Sequence, residues 1–317
     1  MFDPNDIVVF ISGFSRTEQL GINLDLYSNF SFRDKLHINV LYNGGDELGE
    51  LECDNLITLS ENRGYQTGAL DLINASLKGL IESDRNIGVI HNFDYLFFYD
   101  SSFERLINDF INANKSILMW KMKNADPIER AIFQTDCFVI TKEFATQIYP
   151  INPKDDATIF YRKVLAKDSG GDVNVMEEWF FQKLVNIIMP EDLVELNNYS
   201  YSPELSEQHI EKVRLIVKIK RDHNMIMDRL HKYGFFIATE VMDITKEVEK
   251  DGSAEIFTTR DGIDDVNKGV YDSKYHSIHT HHHEILRPLL IMFKYNLDNK
   301  KFKTIDKFIN NEISLMD

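Results

Sequence analysis

The chain alternates short apolar runs with longer amphipathic stretches. Runs at residues 7 to 11 (IVVFI), 38 to 42 (INVLY), 87 to 90 (IGVI), 116 to 120 (SILMW) and 137 to 141 (CFVIT) have the length and the residue types of strands buried on both faces. Helical patterns lie between several of them. In ALDLINASLKGLI, Leu70, Ile73, Leu77, Leu80 and Ile81 recur at three- and four-residue steps and therefore share one helical face. Phe103, Leu106, Ile107, Phe110 and Ile111 form a second such stripe, with Ser101 or Ser102 as the expected N-cap. Strands and helices in alternation imply an α/β fold, a mostly parallel sheet flanked by helices.

After residue 200 the pattern changes, so residues 1–200 are expected to form the core domain and 201–317 a mainly helical C-terminal extension. Lys212, Arg214, Lys218, Lys220, Arg221, Arg229 and Lys232 make a basic island there. Such an island is either a solvated helix face or a surface for an anionic acceptor or a membrane, the latter giving peripheral contact. A polar stretch near 250–272, the histidine cluster YHSIHTHHHE and a final helical segment around TIDKFINNEI follow.

Composition narrows the classes. The 317 residues are 43% hydrophobic and 27% charged, as in a soluble globular protein, and 51 acidic against 35 basic residues give a net charge of -16. That field opposes binding to a phosphate backbone, so nucleic acid is not an expected partner. The two cysteines, Cys53 and Cys137, lack CxxC spacing. Neither a disulfide framework nor a cysteine zinc site is indicated, and a reducing cytoplasm fits. The N-terminus MFDPNDIVVFISGF has no basic region ahead of its apolar run, and no apolar stretch approaches the ~20 residues that span a bilayer.

Five segments carry candidate chemistry. In open α/β sheets, ligands collect beyond the carboxyl ends of the strands. LYNGGD follows the second apolar run: it is either a plain turn or a loop in which Asn43 bonds a base or ribose and Gly44 and Gly45 admit close approach. Asn62, Arg63, Gly64 and Gly68 precede a helix; this is either an ordinary helix start or an anion site in which Arg63 pairs with a diphosphate. In HNFD, Asp94 with Asn92 places oxygen ligands at the strand edge, suited to a hard cation. In SGGDVNVMEEWFF, Glu177 and Glu178 open a helix with Trp179 and Phe180 on its inner face, and serve either the helix dipole or as a general base. His276, His279, His281, His282 and His283 crowd one segment, offering a single metal ligand, a zinc site or a pH switch.

Taken in order, these segments resemble the nucleotide-sugar glycosyltransferases of the GT-A fold, the inverting, family-2-like group with a relaxed DXD motif, over roughly residues 5 to 190. VVFISGF is similar to the opening strand, LYNGGD to the nucleobase loop, ENRGYQTGALDLINASL to the Asn-x-Gly helix start, Asn92-Phe93-Asp94 to the relaxed DXD, and SGGDVNVMEEW to the glycine loop and acidic motif. Phe93 stands where proline is common, Asn92 replaces the first acid, and Glu178 stands where Asp is more usual. The resemblance implies a GT-A core that moves a sugar from a nucleoside-diphosphate sugar to a carbohydrate or glycoconjugate acceptor by metal-assisted single displacement. Asn43, Asp46, Asn62, Arg63, Gly64 and Asn92 would then bind the donor. Asp94 with His279 or His281 would hold Mn2+ or Mg2+, and Glu178, supported by Glu177, would be the base. Two other classes stay open: a sugar-nucleotide-binding protein without catalysis, and a histidine-metal hydrolase.

Overall fold

The computed structural model describes residues 1–15, 17–45, 48–63, 65–121, 133–151, 235–238, 270–272, 277–279, 283–298 and 300–314. All five apolar runs form strands. The elements in chain order are β1 (Ile7–Gly13), α1 (Thr17–Ser28), β2 (His37–Tyr42), β3 (Asn55–Thr58), α2 (Tyr65–Glu82), β4 (Ile87–Asn92), β5 (Tyr95–Phe97), α3 (Asp100–Ala113), β6 (Ile117–Lys121), β7 (Phe133–Thr141) and α4 (Lys142–Ile148). Beyond residue 200 come β8 (Phe235–Ala238), β9 (Val270–Asp272), β10 (Ser277–His279), α5 (His283–Asn296) and α6 (Ile305–Ile309).

Among the described residues, seven strands build one mixed sheet in the order β3-β2-β1-β4-β7-β6-β8. The pairs β2–β3, β1–β2, β1–β4 and β6–β8 are parallel, and β7 runs antiparallel to both neighbours. This is a mostly parallel, Rossmann-like α/β sheet flanked by helices. Alternation along β1 sends Ile7, Val9 and Ile11 into a core with Leu20, Leu24 and Tyr27 of α1 and Phe103, Leu106 and Phe110 of α3. On the opposite face, Phe10 lies where a Cβ on Gly79 of α2 would come within 2.7 Å of its ring, so that glycine lets α2 pack close on β1.

A second, antiparallel sheet of order β5-β10-β9 stands beside the first. Ser277, Ile278 and His279 pair with Phe97, Leu96 and Tyr95, which brings the segment after residue 270 against the strand that follows β4. A second core joins Ile22 and Leu26 of α1, Leu96 and Phe98 to Leu286, Leu290 and Phe293 of α5 and to Phe302, Ile305 and Phe308. At this junction Asp25 Oδ2 accepts from the backbone N–H groups of Thr304 (2.5 Å) and Ile305 (2.8 Å). It serves the start of α6, where Thr304 makes no side-chain cap bond.

Three local readings need correction. The strand ends at Asn92, and Asp94 occupies the two-residue turn between β4 and β5. Tyr99, not Ser101 or Ser102, is the N-cap of α3 and makes no side-chain cap bond. Asp100 instead receives the Ser101 N–H on one oxygen and the Ser31 N–H on the other, because a carboxylate in the first turn can satisfy donors that a serine would otherwise take. The third is an omission, since the five apolar runs do not mark β3, β5, β8, β9 or β10. The basic island from Lys212 to Lys232 lies outside the described residues. No helix among the described residues is long and apolar enough to cross a membrane.

Candidate functional site

Strand order reverses at β1. The chain moves outward from β1 to β2 to β3, then returns through α2 to place β4 on the other side of β1. At such a switch point the connections leave in opposite directions, and a crevice opens at the carboxyl ends of the two central strands. Three segments converge there: Ser12 and Gly13 ending β1, Asn43 following β2, and Asn92, Phe93 and Asp94 closing β4.

Close backbone packing builds this crest. Phe93 N–H donates to Ser12 O at 3.0 Å, and a Cβ on Gly13 would lie 2.6 Å from the Phe93 ring, so the first strand has no room for a side chain there. The Phe93 ring lies parallel to that of Tyr42, centroids 6.3 Å apart. A phenylalanine in the middle of the motif is therefore an anchor packed beneath the crest, 3% exposed.

Asn43 is also buried. Its N–H donates to Gly13 O (3.3 Å), and its Nδ2 donates to Gly68 O in the first turn of α2 (3.0 Å). Its Oδ1 is buried without a hydrogen-bond partner among the described residues, the condition a ligand donor would relieve. A Cβ on Gly68 would sit 2.9 Å from Asn62 Oδ1 and 3.0 Å from Asn43 Nδ2. Asn43, Asn62 and Gly68 are thus gathered at one point. Arg63 is close by, with its guanidinium held in a two-point pair with the Asp71 carboxylate. Asp46 and Gly64 lie outside the described residues.

Asn92 is bound at both ends of its amide. Ser12 Oγ donates to its Oδ1 at 3.3 Å, and its Nδ2 donates to Asp136 Oδ1 at 3.1 Å. The β4–β7 register, with His91 opposite Cys137, brings Asp136 to this edge. A serine, an amide and a carboxylate thereby form a chain across β1, β4 and β7.

Beneath Asp94 lies a buried network. His91 Nδ1 is 3.0 Å from Asn92 O, and its Nε2 is 3.0 Å from Tyr27 Oη. A carbonyl only accepts, so the proton is on Nδ1 and Nε2 receives the tyrosine O–H. Burial lowers the His91 pKa from 6.5 to about 4, and raises that of Tyr27 well above 10. Both are neutral near pH 7. From α1, Asn23 Nδ2 donates to Phe93 O (3.0 Å) and Tyr95 O (2.9 Å), the carbonyls on either side of Asp94. The Asp94 side chain is itself buried, 8% exposed.

Among the described residues, no group of three or more His, Cys, Asp or Glu side chains could enclose a metal ion. The donors at the crest, Asp94 and Asp136, are hard carboxylate oxygens. They suit a cation of the magnesium or manganese kind, which is held by one or two carboxylates and completed by phosphate oxygens and water. The backbone of His279 pairs with that of Tyr95, the neighbour of Asp94. His281, Glu177 and Glu178 lie outside the described residues.

Sequence reading did not single out Ser12, Asn23, His91 or Asp136. Each had a faint signal, a polar residue within or beside an apolar run: Ser12 in VVFISG, Asn23 in GINLDLY, His91 in VIHN and Asp136 in TDCFVI.

No protein-family model and no curated protein sequence matches the chain. Among solved structures, it is similar to a mannosyltransferase from Pyrobaculum calidifontis in complex with GDP-Man and Mn2+, at 11% identity, covering 72% of this chain and 84% of that one with a TM-score of 0.36. It is also similar to a protein assigned as a glucose-1-phosphate thymidylyltransferase from Bacillus anthracis, in complex with a sucrose. There the identity is 8%, the coverage 56% of this chain and 83% of that one, and the TM-score 0.34.

Proposed function

We propose that the chain is a glycosyltransferase that moves a sugar from a nucleoside-diphosphate sugar to an acceptor hydroxyl by single displacement with inversion. The observation that carries this reading is the switch-point crevice between β1 and β4, where the buried, unsatisfied Asn43 Oδ1 and the fixed Asp94 turn converge. One offers an acceptor for a nucleobase or ribose donor. The other offers a carboxylate for the cation that accompanies a diphosphate. The order of the sequence segments supports the same assignment.

Asn43 meets the nucleoside, and the start of α2, with Asn62, Arg63 and Gly64, meets the diphosphate. Arg63 has five N–H donors, of which Asp71 occupies two. Asp94 and one histidine of the cluster, His279 or His281, would hold Mn2+ or Mg2+, which would supply positive charge to offset that of the departing diphosphate. Glu178 takes the acceptor's proton as the acceptor oxygen bonds to the anomeric carbon and the bond to the diphosphate oxygen breaks. Glu177 supports the glycine loop before it. The basic island would then serve an anionic acceptor or a membrane surface, the alternative being a solvated helix face.

Calorimetry with UDP, dTDP and GDP, each with Mn2+ and with EDTA, tests the reading. A metal-dependent diphosphate complex is expected in the wild-type chain, and Asp94→Asn should remove most of the metal dependence. Absence of binding by all three nucleotides with Mn2+ would sink it. With a donor in hand, Glu178→Gln should lower transfer by ~10² to 10⁴ while sparing donor affinity, and selective loss in Glu177→Gln would reverse the assignment of the base.

A further inference from the structure

Asn23 is fully buried in the middle of α1, at 0% exposure. It reaches no solvent, yet it spends both N–H groups on the same short turn: Nδ2 donates to Phe93 O at 3.0 Å and to Tyr95 O at 2.9 Å. Carbonyl oxygens only accept, so the amide orientation is settled by its partners. The other end of the amide tells against simple space filling. Asn23 Oδ1 is buried with no hydrogen-bond partner among the described residues. A buried acceptor left unsatisfied is destabilising, and an apolar side chain of the same shape would avoid that burden. Both bonds bracket one residue, Asp94.

The rest of the turn is fastened from other directions. Phe93 N–H is held by Ser12 O, and Asn92 O accepts from the His91 ring, which Tyr27 of α1 fixes in turn. Asn23 and Tyr27 are four residues apart and therefore lie on one face of α1. We infer that Asn23 is a positioning residue: from α1 it fixes the two carbonyls flanking Asp94, so that metal-dependent binding of a diphosphate depends on an amide that never touches the ligand. This rests on the reading of Asp94 as the carboxylate that holds the cation. Sub-ångström placement matters for such a carboxylate, because it must reach a cation that a phosphate oxygen also binds.

The test compares Asn23→Leu, which keeps the shape and removes the donors, with Leu26→Ala. Leu26 is buried on the same helix but packs into the second core, so its variant loses stability without removing a hydrogen bond to the turn. UDP and GDP are titrated with Mn2+ and with EDTA, thermal midpoints are recorded, and hydrogen exchange is followed over residues 91–99. In Asn23→Leu the gain in affinity supplied by Mn2+ should fall by about tenfold or more, metal-free affinity should hold, and the Phe93 amide should exchange faster by a similar factor. Leu26→Ala should lower the midpoint and leave the manganese gain intact. An unchanged gain in Asn23→Leu, or an equal loss in both variants, overturns the inference. If the wild-type chain binds neither nucleotide with Mn2+, the functional reading fails. Exchange then decides the clamp separately, since protection unchanged in Asn23→Leu shows that Asn23 does not hold the turn. Should Asn23→Leu fail to fold, Asn23→Ser is carried through the same measurements.

Discussion

Two of the hydrophobic clusters among the described residues are built in different ways. The first lies under the large sheet and joins β1, β2, β4 and β7 to α1 and α3, all within the first 141 residues. The second joins α1, Leu96 and Phe98 to side chains between Leu286 and Phe308. Helix α1 belongs to both: Leu20, Leu24 and Tyr27 face the first core, while Ile22 and Leu26 face the second. The lesson is that the candidate site lies at the seam. Asp94 follows β4 of the first core, leads into β5, whose Tyr95 and Phe97 lie in the first core and whose Leu96 lies in the second, and is held by an asparagine on the helix that both share.

Substitutions of matched size should show whether the seam makes the two cores one cooperative unit. Phe103 is 0% exposed and is ringed by Tyr27, Phe30, Phe32 and Phe97; Phe293, 1% exposed, lies among Phe98, Tyr99 and Phe302. Each changed to alanine should lower unfolding stability by about 3–5 kcal/mol. Urea curves followed by fluorescence and by circular dichroism should coincide in both variants. Separate transitions in Phe293→Ala would divide the cores.

Titration gives a sharper contrast, because each unit buries a group whose pKa moves the opposite way for stability. His91 is lowered from 6.5 to about 4 by burial, so between those values the unfolded chain takes up a proton that the folded chain does not. The stability from its neutral ring is fully present above pH 6.5 and is lost as pH falls toward 4, by about 3 kcal/mol. His91→Phe should remove this slope from the pH profile of urea stability. A wild-type slope retained in the variant would assign it elsewhere.

Asp25 runs the other way. Burial raises its pKa above 3.8, against the bonds from Ile305 and Thr304 that lower it. Its contribution is greatest below the ordinary carboxylate value and declines as pH rises through the raised one. Asp25→Asn should therefore show its smallest deficit, or a gain, at the higher pH values. The asparagine carbonyl oxygen can still accept at the start of α6, so the deficit at low pH is expected to be about 1 kcal/mol or less. A deficit that grows with pH would contradict this sign. The smallest effect belongs to the Lys294–Asp306 pair joining α5 to α6. It is partly exposed, so Lys294→Met should change stability by ~1 kcal/mol or less, and less still in high salt.

The difference between the cores also explains what the sequence could tell. The runs at 7–11 and 38–42 were legible because a strand covered on both faces needs no polar positions, and α2 and α3 were legible because each has one wet side. Helix α1 lies between two cores and buries Gln19, Asn23 and Asp25 along with its apolar residues. It has no polar face to mark its period. Strand β3 fails for the opposite reason: at the sheet edge, Asn55, Leu56 and Thr58 are exposed and show no buried run. At the site, Asn43 and Asp94 could be picked out as polar residues beyond strand ends. Asn23 and His91 could not be linked to them, since hydrogen bonds across 70 residues and the β4–β7 register that brings up Asp136 exist only once the chain has folded.

The pairing of β5 with β10 sets an order of events during synthesis. Tyr95 to Phe97 find their partners only at Ser277 to His279, so roughly 180 residues must be added before that edge is closed, about 10–40 s at ordinary elongation rates. Over that interval the large sheet gains β6, β7 and β8 beside its first four strands, while β5 keeps an open row of backbone donors and acceptors, the kind of edge that recruits another chain. The turn that carries Asp94 is the join between the finished sheet and the waiting strand. Nascent chains of this protein should therefore be most vulnerable to edge-to-edge association late in translation, and a chaperone binding near Tyr95 to Phe97 would protect the site before it has a substrate to hold.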